Sequence, residues 1–179
     1  MKTLVIIDVQ RDFYNPEGAL YVKGGEALPQ KIADKAKEYD AVVMTLDWHP
    51  ANHCSFKNMG GIWPEHCIAF TEGAGLPKEF GPMLAEGAFL YFKGQDPAKE
   101  EYGAFADLTE DDSIFTVLAM SDWIDICGIA GEYCVKETTA NLLEYVGAEK
   151  ICMLMDLIVH FKDDSTLRTF IKDNNIRTI

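Results

Sequence analysis

Long apolar runs are missing from this chain. No segment approaches the ~20 consecutive apolar residues of a membrane-spanning helix, so no transmembrane segment is expected. A cationic, apolar leader is missing as well. A strand-like run begins at Thr3 and meets an acid by Asp8, which matches no signal-peptide pattern and points to a cytoplasmic address. Positive charge is in short supply: 16 Lys and Arg stand against 29 Asp and Glu, a formal charge of -13. That balance disfavours nucleic acid and anionic membrane surfaces as partners and leaves a small neutral or cationic ligand. Close Cys-x-x-Cys pairs are absent among Cys54, Cys67, Cys127, Cys134 and Cys152, which argues against a structural zinc site. Their odd number, with no leader, argues against a disulfide framework. Cys127 and Cys152 sit inside apolar runs and read as core residues. No internal repeat or low-complexity tract interrupts the chain.

What is present is an alternation. The 179 residues suffice for one substantial core, so a single domain over 1–179 is the expectation. TLVIIDV (3–9) is nearly unbroken in its hydrophobicity, as a strand covered on both faces would be. Residues 26–39 carry Ile32, Ala33 and Ala36 on one helical face among charged residues. Further strands are read at AVVMTLD (41–47), AFLYFK (88–93), WIDICGI (123–129) and KICMLMD (150–156), with helices beginning near Tyr133 and over 163–174. SIFTVLAM (113–120) suits a strand by composition and a helix by the spacing of Ile114, Val117 and Leu118. The helix is preferred because it supplies a crossover before the strand at 123. The pattern predicts an α/β fold, a three-layer α/β/α sandwich around a mostly parallel, doubly wound sheet. The segment from Trp48 to Gly87 carries little regular pattern, and loops this long in compact α/β domains are commonly functional.

Three chemically able residues stand at strand ends: Asp8, Lys93 and, just beyond the strand at 123–129, Cys134. In an open parallel sheet such ends face one crevice. Taken singly, Asp8 suits a turn cap and Lys93 a solvated side chain. Taken together, a carboxylate can accept the thiol proton and an ammonium can favour the thiolate, with a helix N-terminus adding the same preference. A second cluster lies in DWHPANHCSF (47–56) and GIWPEHC (61–67). Asp47 and His49 are separated by one residue and His66 returns from the far side of the loop, a two-His, one-carboxylate set suited to Zn, Fe or Mn. The same residues also suit an ordinary packed loop. His53 is either a replacement ligand or a support for the others.

Together, DVQRDF (8–13), DWHPANHCSF (47–56), WPEHC (63–67), KG (93–94), YGAF (102–105) and GIAGEYCVKET (128–138) resemble the nicotinamidase branch of the isochorismatase-like cysteine hydrolases. The resemblance runs from about Lys2 through the strand at 150–156. It implies an Asp, Lys, Cys triad at Asp8, Lys93 and Cys134. It also implies a divalent metal on Asp47, His49 and His66, in a metal-bearing loop region of about 47–87. Zn or Fe is favoured by the imidazoles, with Mn possible. Phe13 and Trp63 match positions that enclose a substrate ring. The matching cis peptide is Ile129 to Ala130, and the N–H groups of Ala130 and Cys134 match the oxyanion site. The implied reaction is hydrolysis of nicotinamide, or a similar small heteroaromatic amide, to the acid and ammonia, by a monomer or small homo-oligomer. A related cysteine amidase acting on another small amide is the alternative within the fold, and a noncatalytic ligand-binding protein is the alternative outside enzymes. Two departures stand out. Where the family pattern reads Ala-Thr-Asp-x-Cys, this chain has Gly131 and Glu132, and DLIVHFKDDS (156–165) is less typical of the family.

Overall fold

The computed structural model describes residues Met1–Ile179. Its sheet is built from β1 (Lys2–Ile7), β2 (Ala41–Asp47), β3 (Phe89–Lys93), β4 (Trp123–Ile129), β5 (Ile151–Val159) and β6 (Arg177–Thr178). The strands lie in the order β3-β2-β1-β4-β5-β6 and every pairing is parallel. The helices are α1 (Arg11–Tyr14), α2 (Leu28–Ala36), α3 (Gly81–Ala85), α4 (Ser113–Met120), α5 (Lys136–Leu142) and α6 (Ser165–Asp173).

The unbroken apolar character of the strands has a direct cause, because alternate side chains of one strand enter two different cores. From β1, Leu4 and Ile6 pack with Ile32 of α2 and Met83 of α3, while Val5 and Ile7 pack with Leu118 of α4, Leu142 of α5 and Leu167 of α6. Both faces of the central strands β1 and β4 are therefore dry, as a parallel sheet between helical layers requires. The segment at 113–120 is a helix, as its apolar spacing and the need for a crossover predict.

The sheet differs from the sequence expectation at its far edge. β5 continues to Val159, beyond the expected end at 156, and the short β6 adds a sixth strand. The extension follows a register shift in which Ile126 pairs with Met153 but Gly128 pairs with Ile158, an irregularity that carries the end of β5 toward the end of β4. Hydropathy patterning is blind to such a shift because it depends on the partner strand.

Winding reverses beside β1. The chain moves outward from β1 to β2 and β3, then returns to place β4 on the other side. The C-terminal ends of β1 and β4 thus flank the switch point where ligands of open α/β sheets bind.

Gly128 lets the two central strands approach. Its φ is +132°, and a Cβ there would lie 2.1 Å from the carbonyl oxygen of Ile7 and 2.7 Å from its nitrogen. Gly128→Ala is expected to cost at least about 3 kcal/mol, since neither backbone can yield without breaking the sheet. Gly87→Ala, at φ +92° with nothing within 4 Å, should cost only about 1 kcal/mol, from conformation alone. Urea midpoints of the two variants check this ordering.

Candidate active site

Four strand ends meet at the switch point, and each delivers one ionisable or nucleophilic group. Asp8 follows β1 in a left-handed conformation, φ 49°. It is fully buried, and Thr45 of β2 donates its hydroxyl to Asp8 Oδ1 at 2.5 Å. Asp47 and Lys93 end β2 and β3 as register partners. Lys93 Nζ donates to Asp47 Oδ1, lies 3.0 Å from Asp8 Oδ2 and stands 3.6 Å from Cys134 Sγ. Cys134 lies in a turn of π-helix, Gly131–Val135, that runs into α5, rather than in the first turn of an α-helix beginning near Tyr133. The peptide bond from Ile129 to Ala130 that precedes this turn is cis.

The electrostatics follow from burying two carboxylates, one ammonium and one thiol together. Burial alone would neutralise Lys93, but Asp47 and Asp8 outweigh it and hold the ammonium charged, well above its ordinary range. Against the upward push of burial, Lys93 and the neighbouring His49 hold Asp47 well below the usual carboxylate range. Asp8 moves the other way: burial raises it, and Lys93 offsets that only in part. Burial also pushes the Cys134 thiol well above its ordinary value, with Lys93 again opposing. Asp8 Oδ2 has no hydrogen-bond donor in suitable geometry despite its nearness to Lys93. An acceptor oxygen without a donor, in a cluster where the Asp8, Asp47 and Cys134 ligand atoms lie within 4.8 Å of one another, is poised to take a proton.

Asp47 faces a second cluster with its other oxygen. His49 Nε2 is 3.7 Å and His66 Nε2 3.9 Å from Asp47 Oδ2, and the three ligand atoms lie within 4.8 Å of one another. The Nδ1 atoms contact the carbonyls of Gly94 at 2.9 Å and Pro64 at 2.8 Å. A carbonyl only accepts, so each Nδ1 carries a proton, and Nε2, facing Asp47, is the atom of each ring available to ligate a cation. That donor set, oriented by hydrogen bonds on the far side of each ring, fits a divalent cation. His53 is not a fourth donor. Its ring stacks on His49 at 4.1 Å, and its nitrogens contact Ser55 Oγ at 2.7 Å and the Lys99 carbonyl at 3.0 Å, so it supports the cluster.

The cavity over these groups is walled by aromatic side chains. Phe13 and Trp63, both read from the sequence, line it, together with Tyr102, Tyr133 and Phe161, to which the sequence pattern gives no role. Trp63 Nε1 donates to Tyr102 Oη at 3.0 Å, and its ring stacks on Phe161. A larger groove between α2 and residues 78–89 holds none of the strand-end groups. Two buried polar residues of DVQRDF also lacked an assigned role. Gln10 donates to the carbonyls of Asp47 and Ala74 and accepts from the Asp47 N–H, fixing the end of β2. Asp12 accepts from the N–H groups of Cys67 and Ala19, anchoring the strand of loop that bears His66. The signal was available: both sit just past an apolar strand, where a buried polar side chain has backbone groups to satisfy.

No model of a known protein family matches the chain. Individual proteins do. The nicotinamidase of Saccharomyces cerevisiae is 30% identical over 206 aligned positions, covering 97% of this chain and 94% of that protein. The pyrazinamidase of Pyrococcus horikoshii, solved in complex with zinc, superposes with a TM-score of 0.78 at 30% identity, covering 99% and 98%. PnC1 from L. infantum, solved with nicotinate, gives 0.84 at 29% identity, covering 100% and 92%. Agreement in sequence and in fold over nearly the whole length places the chain among enzymes: it belongs to the nicotinamidase/pyrazinamidase branch of the isochorismatase-like hydrolase superfamily, with a cysteine and a metal-ligand set facing one cavity.

Proposed function

We propose that the protein hydrolyses nicotinamide to nicotinate and ammonia through a thioester on Cys134, and that 1–179 is one hydrolase domain. The observation that carries this reading is Cys134 in the wall of one aromatic-lined cavity, backed by the charged Lys93 and, on the far side of that ammonium, by Asp8. Nicotinamide is neutral, flat and small, so the negative balance of the chain does not oppose it, and the relatives' names and ligands point the same way.

The resting site holds a protonated thiol, since burial disfavours the thiolate. Asp8 takes that proton as the sulfur attacks the amide carbon, and the negative charge moves to the carbonyl oxygen, received by the N–H groups of Ala130 and Cys134. Asp8, now neutral, returns the proton to the amide nitrogen; the C–N bond breaks and ammonia leaves. Water then adds to the thioester carbon with Asp8 accepting its proton, the C–S bond breaks, and Cys134 recovers its hydrogen as the acid departs. Lys93 keeps its charge throughout, and so stabilises the ionised Asp8 and Asp47 while lowering the cost of a transient thiolate. Phe13 and Trp63 enclose the ring. Asp47, His49 and His66 would hold a divalent ion, Zn or Fe by their imidazoles with Mn also admissible, and the ion would supply a Lewis-acid contact for the pyridine nitrogen.

Cys134→Ala is expected to keep its fold and to lose turnover by at least about 10⁴-fold, because the covalent step has no substitute. Rapid-quench mass spectrometry of the native enzyme should find a nicotinoyl adduct on the peptide containing Cys134. Near-native turnover by Cys134→Ala would remove it as the nucleophile. Pyrazinamide should be a secondary substrate, its ring offering a nitrogen at the same place.

His49→Ala and His66→Ala should lose bound metal, measured by elemental analysis after dialysis, whereas His53→Ala should weaken affinity by about 10- to 100-fold, as loss of a supporting group does. Full metal content in both ligand variants would take those residues out of the coordination sphere.

A further inference from the structure

The turn bearing Cys134 is pressed from outside by a residue that has no part in the proposed chemistry. A Cβ built on Gly131 would lie 2.0 Å from Cε1 and 2.2 Å from Nδ1 of His160. Gly131 is not among the positive-φ glycines, so its backbone would accept alanine. What an added methyl group would meet is the imidazole of His160, which fills that space and would have to move aside.

The next residue faces the same ring. Glu132 Oε2 is 3.5 Å from His160 Nδ1, with the two side chains only 9% and 13% exposed, and both atoms are buried without a hydrogen-bond partner. The other oxygen, Oε1, accepts from the backbone N–H of Lys162 at 3.0 Å. Residues 160–162 are therefore held to the turn at both ends, by the ring over Gly131 and by the carboxylate on Lys162. Between these two points stands Phe161, stacked on Trp63 at 5.6 Å and edge-on to Tyr133 at 6.0 Å, in the wall of the cavity that contains Cys134. A strap with no strand pairing of its own is thus seated by two side-chain contacts, in the segment reached by the shifted end of β5.

We propose that Gly131, Glu132 and His160 form a clamp that seats Phe161 over the ring subsite, making Glu132 and His160 positioning residues that govern substrate affinity and access to Cys134. The clamp rests on the reading of this cavity as the amide-binding site. Removing the imidazole, or evicting it with a methyl group at position 131, frees the same strap by the same route. The two changes are therefore not additive, as expected for residues acting through one contact.

The test uses His160→Ala, Gly131→Ala, their double variant, Glu132→Ala and Glu132→Gln. Reactivity of Cys134 toward N-ethylmaleimide, followed by mass spectrometry of its peptide, needs no substrate. It should rise about tenfold in His160→Ala, Gly131→Ala and Glu132→Ala, and by no more than that in the double variant, because a displaced wall admits a bulky reagent. Glu132→Gln keeps an acceptor for Lys162 and a polar partner for His160, and should stay near native. With nicotinamide, KM should rise about tenfold in the same three single variants while kcat moves less than about threefold. Unchanged reactivity and KM in His160→Ala, alongside a lowered melting temperature, would reduce the residue to a structural role. Multiplied effects in the double variant would overturn the shared contact. Failure of native enzyme to hydrolyse nicotinamide would count against the substrate reading, while the maleimide pattern would still decide the clamp.

Discussion

One buried ammonium organises this molecule. Lys93 Nζ lies between the carboxylates of Asp8 and Asp47, and all three side chains are nearly or wholly out of water. An isolated charge could not remain ionised there, and removing one partner from such a set typically costs about 3 to 5 kcal/mol because the remaining charge is left uncompensated. The strand ends are thus bound to one another by electrostatics as well as by packing. The arrangement exists only when β1, β2 and β3 lie side by side with their C-terminal ends level, as the parallel register of Asp47 with Lys93 provides.

The two carboxylates are not equivalent, and the difference creates two sites from one cluster. Asp47 offers one oxygen to Lys93 and the other to the histidines, and its backbone is pinned by Gln10. It therefore stays an anion. Asp8 accepts from Thr45 at one oxygen and faces the Lys93 ammonium with the other, and burial raises its affinity for protons. Similar residues at the ends of adjacent strands thus come to differ in their affinity for a proton.

The long segment between β2 and β3 holds only short helical turns before α3, yet the part that bears the histidines is ordered by hydrogen bonds, most of them to groups elsewhere in the chain. Asp12 holds Cys67, the Gly94 and Pro64 carbonyls orient His49 and His66, and His53 is wedged between His49 and the Lys99 carbonyl. The supporting groups come from three separated parts of the chain. That explains how a loop of this length can hold a donor set whose atoms must converge within a few ångströms.

Much of this is legible in the sequence. Continuous apolar strands alternating with amphipathic helices determine a parallel sheet between two helical layers, because only burial on both faces accounts for runs such as TLVIIDV and WIDICGI. The motifs carrying Asp8, Asp47, His49, His66, Lys93 and Cys134 were readable because their chemistry and order are local properties of the chain. The tertiary structure alone decided which atoms of those residues meet, that His53 supports the cluster, and that Gln10 and Asp12 brace it. It also decided that β5 shifts register to bring His160 and Phe161 to the turn that bears Cys134. The physical reason is common to all of them. Hydropathy and spacing record what one segment needs from its surroundings, whereas a hydrogen bond, a ring stack or a filled space over a glycine depends on a second segment whose position only the folded chain defines.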